Sequence, residues 1–308
     1  KKMNSDPADD ARQLHAILTG KTKSDDLLIK IITSKTNEER QKIKEEYKSA
    51  FNSDLIKELE KAYSGHFEDV LVGLFTLPLD YDCYHIRKAV KGLGTDEKAL
   101  IEILTTRESD HIKKMKERYK EIYPGRDMVA DIKDDTSGHF WEVLKALLET
   151  KREINTVPDI KECESCAKML YGAIQTKNKH VEIFIQILTT KSKEEVREIG
   201  KIYNKISKDG LINDIENTFS GDTKNALLGI LYGILSPPEY FAKLIYESIK
   251  GLGTNNTTLI RVLITRDEID MPQIKQYYRH MYKKDMVDDI KGDTSGNYQK
   301  ILVELATH

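Results

Sequence analysis

The sequence predicts an all-α protein built from four repeats of about five helices each. Three observations predict it: one unit recurs four times, apolar residues fall at three- and four-residue steps, and strand-like alternation is almost absent. The recurring core is read in "DLLIKIITSK" (26–35), "KALIEILTTR" (98–107), "EIFIQILTTK" (182–191) and "TTLIRVLITR" (257–266). With Thr33, Thr105, Thr189 and Ile264 as equivalent positions, the copies are spaced by 72, 84 and 75 residues. One such unit cannot bury its apolar face alone, so four would stack around a shared core.

The elements follow in order. A short N-terminal tail (1–9) precedes repeat 1 (10–79) and repeat 2 (80–150). The long middle interval holds "ETKREINTVPDIKE" (149–162), polar and proline-containing, which reads as a linker between two halves, with its body at 151–162. Repeat 3 (163–236) and repeat 4 (237–308) complete the chain. Within repeat 2, Leu100, Ile101 and Leu104 mark one helix, and Ile112, Met115 and Tyr119 mark the next. Thr95, the Glu108–Asp110 stretch and Ser137 stand where helices should open. Phe140 and Trp141 read as core residues of the helix after Ser137.

Composition narrows the function. The 49 Lys+Arg against 51 Asp+Glu leave a net charge of −2, which argues against a polybasic surface for nucleic acid. An anionic partner would need a local patch or a bridging cation. No apolar run approaches the roughly 20 residues that span a bilayer, and the opening "KKMNSDPADDARQL" lacks a signal-peptide core, so a cytoplasmic location is expected. Cys163 and Cys166 form C-x-x-C in a helical context and read as reduced helix residues rather than a zinc or redox pair. No G-x-S-x-G, H-E-x-x-H, phosphate-cradling loop or EF-hand occurs, and "GLGTDE" fails G-x-G-x-x-G at its last position, so no enzymatic activity is expected.

Two turns stand out. "VKGLGT" begins at Val90 and "IKGLGT" at Ile249, each placing two glycines where a helix should continue, at a cost in stability. The same two copies carry "DDTSGHF" (134–140) and "GDTSGNY" (292–298), with Asp135 lying 41 residues after Gly94 and Asp293 lying 40 after Gly253. A helix ends with unpaired carbonyls and partial negative charge, and glycines let the backbone turn those oxygens toward one point. A carboxylate from a second loop adds a formal charge. Such an all-oxygen set suits calcium, which takes 6–8 oxygens, better than magnesium with its tight octahedron.

K-G-x-G-T followed by D-T-S-G about 40 residues on, within a fourfold helical repeat, resembles the annexin family from about Asp10 to the C-terminus. The resemblance implies five-helix repeats arranged as a slightly curved disc, with calcium bridging loops on its convex face to anionic, phosphatidylserine-like headgroups. It implies carbonyl ligands from Val90, Gly92 and Gly94 with Asp135, and from Ile249, Gly251 and Gly253 with Asp293. Lys91, Thr95, Lys250 and Thr254 of the same turns would face lipid. Repeat 1 departs from the pattern, reading "LTGKTKSDD" (18–26) with Thr22 for the second glycine and Ala62 for the acid. Repeat 3 reads "IQTKNKHVE" (174–182) with neither glycine, and Thr218 replaces the acid. Two calcium sites are therefore expected, one in each half of the chain.

The same residues admit other readings. Asp135 and Asp293 could instead cap the helices that follow D-T-S-G, but capping would not require acid and glycines to be lost together in the same copies. Arg107, Arg261 and Asp82 match annexin positions that line a central channel; His85 replaces an acid there, and ion-paired arginines at helix contacts are the plainer reading. The basic "QTKNKH" stretch is a loop that could touch headgroups without calcium. The expected function is reversible, calcium-dependent membrane binding with a role in membrane organisation or trafficking, and possible self-association on the bilayer. The competing reading is a calcium-independent helical scaffold for protein partners.

Overall fold

The structure is a computed structural model that describes residues 5–155 and 157–308, and among these it holds twenty helices and no strands. Repeat 1 comprises α1 (Pro7–Leu18), α2 (Asp25–Thr33), α3 (Asn37–Phe51), α4 (Leu55–Ala62) and α5 (Gly65–Phe75). Repeat 2 comprises α6 (Pro78–Val90), α7 (Glu97–Thr106), α8 (Ser109–Ile122), α9 (Met128–Asp135) and α10 (Gly138–Glu149). Repeat 3 comprises α11 (Ile160–Gln175), α12 (Val181–Thr190), α13 (Lys193–Ile206), α14 (Leu211–Thr218) and α15 (Gly221–Leu235). Repeat 4 comprises α16 (Pro237–Ile249), α17 (Asn256–Arg266), α18 (Met271–Tyr282), α19 (Met286–Asp293) and α20 (Gly296–Ala306). The first helix starts at Pro7, where Asp6 accepts from the Ala8 N–H, inside the stretch read as a tail.

The chain forms two compact units: one from the chain up to Tyr81 with Phe241–His308, the other from Asp82–Tyr240. Repeats 1 and 4 thus share one core and repeats 2 and 3 the other. This corrects the expectation that 149–162 divides the chain into halves. That segment is tied to repeat 3, with the Glu153 N–H donating to the Thr190 carbonyl (2.9 Å) and Arg152 to the Lys191 carbonyl (2.6 Å).

Glycine sets the helix approach in each unit. In one, α15 packs on α7, and a Cβ at Gly233 would lie 3.0 Å from the Thr105 carbonyl oxygen. In the other, α5 packs on α17, with a Cβ at Gly73 falling 2.7 Å from Ile264 Cδ1. A second repeated device joins the third helix of a copy to the fourth. The hydroxyls of Tyr119, Tyr203 and Tyr278 donate to Asp131, Asp214 and Asp289 at 2.7, 2.7 and 2.6 Å.

The structure amends several side-chain expectations. Phe140 is buried but Trp141, one position round the helix, is only partly so. Cys163 and Cys166 are buried on α11 and unbonded to each other, and burial pushes the Cys163 thiol up to about 11, as inert helix residues require. Asp82 accepts from Arg107 Nε (2.9 Å) and Nη2 (2.8 Å) and lies 2.9 Å from His111 Nε2. Burial alone would raise the Asp82 carboxyl; Arg107 and His111 outweigh it and hold it well below the usual carboxylate range.

Two outcomes are expected from this packing. Gly233→Ala gains up to about 1 kcal/mol of helix propensity but forces α15 from the α7 backbone at about 1–3 kcal/mol, so the urea midpoint should fall. For Asp82, the unfolded chain binds the proton more readily than the folded one. Its stabilisation is present above pH about 4 and is lost as pH drops through the depressed value. Asp82→Asn should cost about 3 kcal/mol near neutrality and flatten the acid limb of a stability–pH profile.

Candidate calcium- and membrane-binding loops

Helix α6 ends at Val90, and the chain re-enters helix at Glu97. Between them the turn closes through one return bond, the Asp96 N–H to the Ala89 carbonyl at 2.9 Å. The corresponding bond at the end of α16 runs from the Asn255 N–H to the Ser248 carbonyl at 2.7 Å. Gly92 and Gly94 take φ of +100° and +84°, and Gly251 and Gly253 take +94° and +85°. A Cβ at any of the four would meet nothing within 4 Å. Backbone handedness, not crowding, is therefore what demands glycine.

The acids stand across from these turns. Asp135 is the last residue of α9 and Asp293 the last of α19. Neither is an N-cap of the following helix; Ser137 and Ser295 occupy those positions without a side-chain capping bond. A carboxylate at the negative end of a helix is disfavoured by about 0.3–1 kcal/mol. Neither aspartate has a basic partner among the described residues.

Each acid is joined to its turn by a threonine. Thr95 Oγ1 donates to Asp135 Oδ2 at 3.1 Å, and Thr254 Oγ1 to Asp293 Oδ2 at 3.0 Å. Thr95 is thus not the cap of α7. That role falls to Asp96, whose carboxylate accepts from the Ala99 N–H (3.0 Å), and to Asn255 in repeat 4. Val90 and Ile249 are anchored in the core, whereas Lys91, Gly92, Gly94, Lys250, Gly251 and Gly253 are exposed. At each tip Leu93 and Leu252 are fully exposed, an apolar feature that sequence reading passed over. A cleft of about 610 Å³ opens beside Asp293, lined by Ala62, His66, Asn256, Asn297 and Tyr298.

The two degenerate loops are closed by the chain itself. In repeat 3, Lys179 reaches back so that its Nζ donates to the Ile174 carbonyl (2.9 Å), the oxygen equivalent to that of Val90. Lys179 and His180 adopt positive φ without glycine. In repeat 1, Asp25 accepts from Tyr63 Oη (2.7 Å) and from Asn297 Nδ2 (2.8 Å), and Ala62 brings no carboxylate. Burial and then the Asp25 bond raise the Tyr63 phenol above its usual range, which keeps it a donor.

The intact loops offer carbonyl oxygens in the majority and one carboxylate each, with nitrogen and sulfur donors absent from the set, which fits a hard divalent cation. No described helix is long and apolar enough to cross a membrane.

Comparison with known proteins agrees with this architecture. The Annexin family model matches residues 9–74, 81–147, 165–230 and 240–305. The chain is 35% identical over 303 residues to human annexin A7, covering 98% of this chain and 62% of that protein. It thus spans less than two thirds of the first relatives it matches. With mouse annexin A4 it shares 37% identity over 298 residues, 96% of this chain and 93% of the relative. Among solved structures, annexin III superposes with a TM-score of 0.93 at 31% identity, covering 99% of this chain and 95% of that one. The calcium-bound crystal structure of annexin (Sm)1 superposes with a TM-score of 0.88 at 29% identity, covering 98% and 90%. Fourfold repetition, five helices per copy and these matches together make the chain a member of the annexin family.

Proposed function

We propose that the chain binds calcium at two loops and, through them, docks reversibly on anionic phospholipid membranes. The observation that carries the reading is the threonine-clasped aspartate. It sits at a helix C-terminus facing a positive-φ glycine turn in repeats 2 and 4, and repeats 1 and 3 lack it. Membership of a family known for calcium-dependent phospholipid binding supports it.

Val90, Gly92 and Gly94 would hold the ion of repeat 2 through their carbonyls, with Asp135 supplying the carboxylate. Ile249, Gly251, Gly253 and Asp293 would do so in repeat 4. The bound ion supplies positive charge at a point where the chain offers partial and full negative charge, so that phosphate oxygens of lipid complete its shell. Thr95 and Thr254 fix the rotamer of each aspartate, and Lys91 and Lys250 add favourable charge near an anionic surface. Leu93 and Leu252 would enter the interface, each contributing about 1.5–3 kcal/mol when buried. Because lipid completes the shell, calcium and lipid strengthen one another reciprocally. In repeat 3 the Lys179 ammonium stands in for a cation, and in repeat 1 the Tyr63–Asp25 pair closes the loop, so neither belongs to the calcium response. Such binding needs no catalytic group; it suits a cytoplasmic protein that organises or moves membranes, and side-by-side assembly on the bilayer is part of the same reading.

Co-sedimentation with phosphatidylserine vesicles, with calcium or a chelator, is the direct test. Pelleting is expected only with calcium, and a scaffold for protein partners would show none. The double variant Asp135→Ala with Asp293→Ala should lose that pelleting while its circular dichroism stays helical; retained pelleting would show the sites are misplaced. Gly92→Ala must hold alanine at positive φ, costing about 1–2 kcal/mol. Its calcium stoichiometry by calorimetry in the presence of lipid should drop from two to one.

A further inference from the structure

The four copies differ sharply at one position near the end of their first helix. Steps of 72, 84 and 75 residues relate His15, Arg87, Tyr171 and Tyr246. In three copies this position is aromatic and meets a ring of the third helix of its own copy. His15 stacks on Phe51 at 3.7 Å and 10°, Tyr246 stacks on Tyr282 at 3.7 Å and 8°, and Tyr171 meets Tyr203 edge-on at 5.9 Å. Repeat 2 has Arg87 there, beside Tyr123, which occupies the place of Phe51 and Tyr282.

The neighbouring position changes sign as well. In repeat 4, Glu247 pairs with Lys250 at 3.4 Å, and that ammonium also lies over the Tyr246 ring at 5.6 Å. In repeat 2 the residue equivalent to Glu247 is Lys88, so Lys88 and Lys91 sit three apart on one helix end. Both are exposed, and neither is ion-paired among the described residues. Where repeat 4 is stacked and neutral, repeat 2 opens a cleft of about 550 Å³. Tyr84, Arg87, Lys88, Lys91, Tyr123 and Arg126 line it. Arg87 (3.5 Å) and Arg126 (3.3 Å) share the Asp131 carboxylate, which also accepts the Tyr119 hydroxyl. The lining thus carries four cations and no carboxylate, and the Asp131 that pairs two of them is already in use.

We infer that this cleft is a binding site for a headgroup bearing phosphomonoesters on a polyhydroxylated ring, presented by a membrane lipid. Two guanidinium groups offer paired donors to phosphate oxygens and two ammonium groups add point charge, which suits several phosphates better than one. The half-exposed Tyr84 ring gives an apolar and hydroxyl-bearing wall for the ring face of such a ligand. Lys91 belongs both to this cleft and to the repeat 2 turn, and Arg126 precedes α9, whose far end carries Asp135 about 12 Å along the helix. A headgroup in the cleft would therefore adjoin the repeat 2 turn through Lys91. The membrane source rests on the proposed function; the phosphate chemistry of the cleft does not.

The experiment has two arms on the full chain. In the first, vesicles carrying phosphatidylinositol bisphosphate are compared with phosphatidylserine vesicles of matched total charge, both with calcium. The unmodified chain should half-saturate at about fivefold less lipid on the former, as expected for each basic side chain engaged near an anionic surface. Lys88→Glu, and Arg87→Tyr with Lys88→Glu to reproduce repeat 4, should erase this preference and still pellet on phosphatidylserine. In the second arm, soluble inositol trisphosphate is titrated without calcium by calorimetry. Binding by the unmodified chain and its loss in the double variant support the cleft even if no vesicle is bound, a result that would overturn only the membrane source. Equal binding to both vesicles together with no heat from the soluble ligand would overturn the proposal. So would a preference, or a heat, that survives in the double variant. Heparin fragments giving the heat where inositol trisphosphate gives none would overturn it in favour of a sulfated glycan.

Discussion

A helix cannot pair its last carbonyls, and the candidate site depends on how each copy of the repeat meets that constraint at the end of its first helix. In repeats 2 and 4 a return hydrogen bond closes the turn, and two glycines in each turn take positive φ. An aspartate is then held nearby at a place the helix dipole disfavours, tied down by a threonine hydroxyl. Under the proposed function, a cation between them would turn these two unfavourable arrangements into one favourable arrangement. Repeat 3 meets the same constraint with the Lys179 ammonium and no glycine, while repeat 1 keeps one positive-φ glycine, Gly20, and neither copy carries the aspartate.

Much of this was legible in the sequence because it is local or periodic. The apolar spacing gave helices, the recurrence of "TTR"-like ends gave four copies, and the joint presence or absence of Gly-x-Gly and its acid pointed to a two-part site. Which copies share a core was not legible. Spacing along a chain carries no information on whether repeat 2 packs with repeat 1 or with repeat 3, and the polar stretch 149–162 looked like a boundary although it is pinned to Thr190 and Lys191. Thr95 and Asp96 are adjacent residues that can both cap a helix, and in the structure the aspartate caps while the threonine clasps Asp135.

The cleft of repeat 2 was hidden for a similar reason. Arg87 and Lys88 look like ordinary exposed bases on an amphipathic helix. Their meaning lies in the contrast with Tyr246 and Glu247, which stack and pair in three dimensions. Internal repetition thus serves as a built-in comparison. A position that is aromatic in three copies and cationic in repeat 2 marks a change of task, and here that position, Arg87, lies three residues before Val90, where the glycine turn begins.

Lys179 carries a consequence that concerns concentration rather than shape. A cation borne on the chain five residues from the carbonyl it meets is never diluted, and short tethers of this kind correspond to effective concentrations of millimolar order. Dissolved calcium must be supplied; this ammonium is always present. Under the proposed function the third loop therefore carries its own cation from the moment the chain folds, whereas the second and fourth would wait for theirs.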